Sequence, residues 1–208
     1  MTGSLEIDHV LIPVDDLDAA GASVRARFGL SSIEGGRHPK WGTANRLIPL
    51  GDTYIELVAV VDRDVAELSA FGRWVLGATV GQPLGWAVRA RDIEDVGRRL
   101  GLWIADGARV TPDGDVLRWR SAGLDEAIAE PGLPFFIEWA DRTHLPGAAP
   151  VRHPGGQVRL RRLSLKADPA RLAHWLGRNE LPLSVTTGPS GVDAVVLARE
   201  EQEFAIRL

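Results

Sequence analysis

The chain contains one plan written twice. A first stretch opens on Ile7-Asp8-His9-Val10-Leu11-Ile12-Pro13-Val14 and closes on Tyr54-Ile55-Glu56-Leu57-Val58. A second opens on Leu84-Gly85-Trp86-Ala87-Val88-Arg89-Ala90 and closes on Phe135-Phe136-Ile137-Glu138-Trp139. Internal repetition constrains architecture before any single residue does, because each copy must bury its apolar face against the other. Each closing strand carries one carboxylate in an apolar run, which needs a cation, a hydrogen-bond donor or a raised pKa to be tolerated. Glu56 and Glu138 stand at matching points, so with His9 they are expected to share a polar floor.

Between these strands the patterns repeat. Residues 5–14 read as a strand. A helix follows with Leu17, Ala20, Val24 and Phe28 on one face, capped by Asp15 or Asp16 and ended by Gly29. Strands are expected near 31–35, 44–50 and 53–60, with Gly51-Asp52 as the last hairpin. Residues 64–78 carry Val65, Leu68, Phe71, Val75 and Leu76 at helical spacing and read as a connecting helix. The order then returns: strand 84–90, helix 92–101 from Asp92, and strands near 105–110, 115–121 and 134–139. Aligning Asp16-Leu17 with Asp92-Ile93 sets Gly85 opposite His9.

Residues 141–157 are rich in proline and glycine and read as a linker. A shorter block follows, with strand 159–167, helix 169–178 and strands near 183–187, 192–198 and 203–207. It repeats the element order without a matching His or Glu, so it is expected to cover an edge or mediate self-association. The fold class is therefore α+β, with tandem βαβββ modules forming a cupped mixed sheet plus a third, shorter βαβββ-like block. The expected divisions are 1–62, a connecting helix in 63–82, 83–140, a linker at 141–158, and 159–208.

Composition narrows the function. At 208 residues, with 45% hydrophobic and 25% charged residues, the balance is that of a globular protein. A net charge of -4 argues against general nucleic-acid binding. The basic run Arg159-Leu160-Arg161-Arg162, with Lys166 beyond, reads as a solvated strand edge. Without cysteine there is no thiol catalysis, thiolate-bound zinc or disulfide. The chain has no basic leader followed by an apolar stretch and no run long enough to span a bilayer, so a cytoplasmic protein without membrane or nucleic-acid partners is expected. It has no phosphate-binding glycine loop or dinucleotide fingerprint, so no nucleotide cofactor is expected, and no nucleophile elbow. Seven tryptophans against one tyrosine suggest a cavity or interface lined by indoles as well as a core.

Four segments carry a family likeness: Ile7-Asp8-His9-Val10 with Asp15-Asp16-Leu17; the loop Gly35-Gly36-Arg37-His38-Pro39-Lys40-Trp41-Gly42-Thr43-Ala44-Asn45-Arg46; Tyr54-Ile55-Glu56-Leu57; and Phe135-Phe136-Ile137-Glu138-Trp139. Over roughly residues 5–140 the chain resembles the vicinal oxygen chelate superfamily, within it the glyoxalase-like domain proteins. The resemblance implies paired modules cupped around one divalent metal, with Zn, Fe, Mn and Ni not distinguished. Its metal positions fall on His9, Glu56 and Glu138, and the fourth on Gly85, which has no side chain. Either three ligands suffice with open positions for water and substrate, or His38 reaches inward to replace the missing ligand, or metal binding is lost and Gly85 enlarges the cup.

His9 shares a strand face with Leu11 and Pro13, and its plain reading is a satisfied core histidine. Glu56 and Glu138 have a plain reading too, as partners of Arg46, Arg89 or Arg118. Arg89 shares a face with Gly85 and is expected either to bind a carboxylate substrate or to quench Glu138. His38, Trp41, Thr43 and Asn45 are candidate substrate contacts, since loops carry function out of proportion to their length. His144, His153 and His174 lack such a context. The leading expectation is a metal-assisted lyase, isomerase or dioxygenase acting on a small oxygenated molecule, with Glu56 or Glu138 moving a proton. An extradiol dioxygenase is disfavoured because only one histidine is correctly placed. The alternative is a non-catalytic binding or sequestration protein of the drug-resistance type. Exposed sheet edges make a homodimer reasonable.

Overall fold

The computed structural model describes residues 5–111, 114–141 and 145–208. The first module consists of β1 (Glu6–Pro13), α1 (Leu17–Phe28), β2 (Ile33–His38), β3 (Thr43–Pro49) and β4 (Tyr54–Val60). Asp16 starts α1 by accepting a hydrogen bond from the Ala19 amide at 2.8 Å. Gly29, at φ 64°, ends it in a left-handed conformation that costs glycine little. The connector is two helices, α2 (Arg63–Leu68) and α3 (Ala70–Leu76), where the sequence suggests one. Ser69 breaks the run because its backbone is extended and its hydroxyl caps α3 by accepting from the Gly72 amide.

The second module repeats the plan in β5 (Gly85–Arg89), α4 (Ile93–Leu100), β6 (Ile104–Val110), β7 (Val116–Ala122) and β8 (Phe135–Trp139). Asp92 caps α4 as Asp16 caps α1. A short α5 (Leu124–Ala129), which the sequence reading does not anticipate, lies between β7 and β8.

The cup closes completely. Its strand order is β1-β4-β3-β2-β6-β7-β8-β5, a closed barrel with β1/β4 and β5/β8 parallel. The modules join through antiparallel β1/β5 on one side and through the single registered pair Arg37–Val110 of β2/β6 on the other. Alternation along the strands divides the side chains between two cores. Val10, Ile12, Trp86 and Val88 face outward into one cluster, while Leu11, Tyr54, Ala87, Phe135 and Ile137 face the barrel interior. On the outside, α1 packs on β3 and β4, and α4 packs on β6, β7 and β8.

The third block is β9 (Arg159–Lys166), α6 (Pro169–Leu176), β10 (Leu183–Thr186), β11 (Gly191–Arg199) and β12 (Gln202–Ile206). Its sheet order, β10-β9-β11-β12, differs from that of the modules. Its apolar face, with Leu163, Leu165, Val195 and Leu197, merges with Trp86, Val88 and Phe136 into one core. It thus covers the barrel's outer wall, not an edge. The basic run is not a strand edge either. β9 lies inside the sheet, with Arg161 and Arg162 paired to Glu203 at 3.0 and 2.5 Å and Lys166 to Asp193 at 2.9 Å. Among the described residues no helix is long and apolar enough to cross a membrane.

Candidate active site

The barrel interior holds a cavity with about 490 Å³ of empty space, its mouth included. Its walls are mostly aromatic: Trp41, Tyr54, Phe71, Trp119, Phe135 and Trp139. Phe71 of α3 and Leu124 of α5 contribute from two helices that touch each other. Into this apolar space project His9, His38, Asn45, Glu56, Arg109 and Ser121.

His9 is 3% exposed and stacks on Tyr54 at 4.7 Å, with the edge of Phe135 at 5.5 Å. Its orientation comes from Asp8. The register of β1 against β5 slips between Ile7 and His9. This irregularity frees Asp8 from simple alternation, so two consecutive side chains meet. Asp8 Oδ1 lies 2.7 Å from His9 Nδ1, while Oδ2 accepts from Trp139 Nε1 at 2.9 Å and from Arg89 Nη1 at 3.2 Å. A carboxylate only accepts, so Nδ1 carries a hydrogen toward Asp8 and Nε2 faces the cavity. Glu56 Oε2 stands 3.6 Å from that Nε2, and Oε1 accepts from Asn45 Nδ2 at 2.7 Å.

His38 is buried against Trp41 and Phe71, with Nδ1 3.0 Å from the Thr43 hydroxyl. Burial pushes its pKa down to about 4; the Glu56 charge opposes this, and those of Arg109 and His9 assist it. Burial raises the Tyr54 phenol well above its ordinary value, with further upward contributions from Asp8 and Glu56. Tyr54 therefore stays protonated.

Five residues singled out from the sequence thus meet in one cavity: His9, His38, Trp41, Asn45 and Glu56. Thr43 stands behind His38 as its hydrogen-bond partner. Two others lie elsewhere. Glu138 is on the outer face of β8, paired with Arg120, which also binds Glu94 of α4 at 2.7 Å. Arg89 ties Asp8, Glu6 and the Asp52 carbonyl together and does not line the cavity. His153 bridges the Ser31 amide and the Pro49 carbonyl, and His174 is exposed. His144 lies outside the described residues.

Strand register explains the misplacement of Glu138. Val10 and Trp86 face each other across β1/β5, so Gly85 does correspond to His9 and Ala87 to Leu11. Leu11 sits opposite Glu56, and Ala87 sits opposite Phe135. The true counterpart of Glu56 is therefore Phe135. Glu138 is an odd number of residues further on, and so points to the other side. The space left by Gly85 is filled by Trp74, whose Cη2 lies 2.3 Å from where a Cβ would be.

These observations decide whether a metal fits. Of the four positions implied by the resemblance, the second module supplies a glycine backed by indole and a phenylalanine. No group of three or more His, Cys, Asp or Glu suited to holding a metal exists among the described residues. The donor set does not fit a divalent ion, and what remains is an imidazole hydrogen-bonded to Asp8 with the Glu56 carboxylate 3.6 Å from its other nitrogen.

Asp8, Arg109 and Ser121 were missed as site residues. A carboxylate beside a histidine in an apolar strand is a usable signal for Asp8. Nothing in the pattern of 104–110 distinguishes Arg109.

A glyoxalase-like domain model matches residues 7–180. A crystal structure of a hypothetical protein from Staphylococcus aureus is similar at a TM-score of 0.70 and 17% identity, covering 90% of this chain and 88% of that one. Methylmalonyl-CoA epimerase from Streptomyces coelicolor, solved with 2-nitronate-propionyl-CoA, is similar at a TM-score of 0.50 and 21% identity, over 67% of this chain and all 100% of that one. No curated protein matches. With the barrel of paired βαβββ modules, the match over most of its length makes this chain a member of the glyoxalase-like domain family of the vicinal oxygen chelate superfamily.

Proposed function

We propose that the protein is an isomerase- or lyase-type enzyme that moves a proton on a small oxygenated organic molecule bound inside the barrel. The observation carrying this reading is the hydrogen-bonded chain Arg89–Asp8–His9, which ends on an imidazole nitrogen that faces Glu56 at 3.6 Å in an aromatic cavity. The shared fold with an epimerase supports the reaction class as an analogy.

His9 Nε2 takes a proton from a carbon next to a carbonyl. The C–H bond breaks, an N–H bond forms, and the electron pair moves onto the carbonyl oxygen. Asp8 keeps the opposite nitrogen protonated and stabilises the imidazolium that results. Glu56, held by Asn45, provides a second negative charge beside the charged ring and can relay the proton. The proton then returns at another position or face, and the base is restored. Exclusion of water by the aromatic walls strengthens each of these interactions.

The test is deuterium uptake. In D₂O, small carbonyl acids with an exchangeable C–H should gain deuterium in the presence of the protein, read by NMR. His9→Asn and Glu56→Gln should each lower the rate at least about 100-fold. Tight binding of the same acids with no exchange above background would favour the sequestration reading instead.

A further inference from the structure

Arg109 is the charged group of the cavity that the proton-transfer chain leaves unused. It lies on β6, is 5% exposed and lines the aromatic space. Its Nη1 has no hydrogen-bond partner, and among the described residues the guanidinium makes no ion pair. The carboxylate of the cavity lining, Glu56, acts on Arg109 through its charge but is hydrogen-bonded to Asn45 and stands beside His9. Two buried polar atoms of the cavity lining are left without a partner, Arg109 Nη1 and Asn45 Oδ1, and of these the charged, forked donor calls for a negative charge. An unpaired buried cation is costly, and a guanidinium is shaped for bidentate pairing with a carboxylate. Flat rings line the same cavity, Trp41, Trp119 and Trp139 among them.

We propose that Arg109 is the specificity-determining residue of this site and that the ligand is a small organic monocarboxylate with a flat apolar body. Its carboxylate pairs with the Arg109 guanidinium, and its body lies between the indoles. This inference rests on the small-molecule reading of the cavity but not on any proton being moved.

The experiment uses phenylacetate and its neutral analogue phenylacetamide, with binding read by quenching of tryptophan fluorescence and by calorimetry. In the wild-type protein the acid should bind at least about 10-fold more tightly than the amide, a comparison needing no variant. Arg109→Met should remove that preference by weakening binding of the acid far more than binding of the amide. Because it removes an unpaired buried charge, the same substitution should raise the melting temperature of the free protein by about 3 °C; a purely structural arginine would lower it. His9→Asn should keep the preference for the acid, so loss of proton exchange in that variant speaks to the proposed reaction alone. Equal affinity for acid and amide in the wild type, no binding of the acid at millimolar concentration, or unchanged acid binding in Arg109→Met overturns the proposal.

Discussion

His9 owes its orientation to an irregularity one residue upstream. Were β1 perfectly regular against β5, Asp8 would point away from the imidazole beside it; the slip between Ile7 and His9 brings the two together. Asp8→Asn should keep the shape but offer an amide where a carboxylate held the Nδ1 hydrogen. The expected result is a fall of about 100-fold in the deuterium exchange rate with binding of the acid little changed. His38 makes a separate prediction about stability. Its pKa, near 6.5 when unfolded, falls to about 4 in the buried site. The unfolded chain therefore takes up a proton at a pH where the folded one does not. Stability is full above pH 6.5 and is lost as pH drops from there to about 4, by about 3 kcal/mol in all. His38→Gln should flatten that part of a plot of melting temperature against pH. At this scale the sequence was legible in the first module and misleading in the second. His9 and Glu56 lie an odd number of residues from their outward neighbours, so alternation places both inside; Glu138 shares with Glu56 only an apolar strand context, and register alone shows Phe135 in that role.

The elements themselves were more legible than the site, because their signals are local. Asp16 and Asp92 cap their helices, and Gly29 ends α1, as the residue types require. What escaped was α5 and the break at Ser69, where a short helix and a capping serine interrupt otherwise apolar patterns. The two modules have also diverged in a way visible only once packed. Gly85 keeps the backbone of β5 in place while α3 delivers Trp74 into the space that a side chain at position 85 would occupy. Gly85→Ala should therefore cost about 1–3 kcal/mol through overpacking. Trp74→Ala in the same chain should relieve most of that cost, so the double variant will be clearly non-additive in thermal melts. Additive losses would mean that the indole is not what fills the gap.

At the scale of the whole molecule, the third sheet decides whether the barrel can exist in water. Trp86, Val88 and Phe136 face out of the barrel wall, and Trp86 and Phe136 are fully buried because β9, β11 and α6 lie over that face. A directed contact secures the joint, Trp175 Nε1 donating to the Pro134 carbonyl at 2.8 Å, and within the barrel wall Trp86 Nε1 donates to the Gly132 carbonyl at 3.2 Å. The Gly132 amide in turn donates to Ser190 Oγ at 2.8 Å. The sequence showed that this block repeats an element order, but not that its apolar face would meet the outer face of β5 and β8, since nothing local encodes which distant face a strand will cover. Removing the joint should thus be felt throughout. Trp175→Ala leaves a void between α6 and Phe136 and should cost about 3–5 kcal/mol. It should lower the unfolding midpoint in urea without splitting the transition, because sheet and barrel share one core. Two separate transitions would show the blocks to be independent. A chain ending at residue 158 should expose the whole apolar wall and precipitate or stay unfolded, and cooperative melting of that truncated chain would refute the dependence argued here.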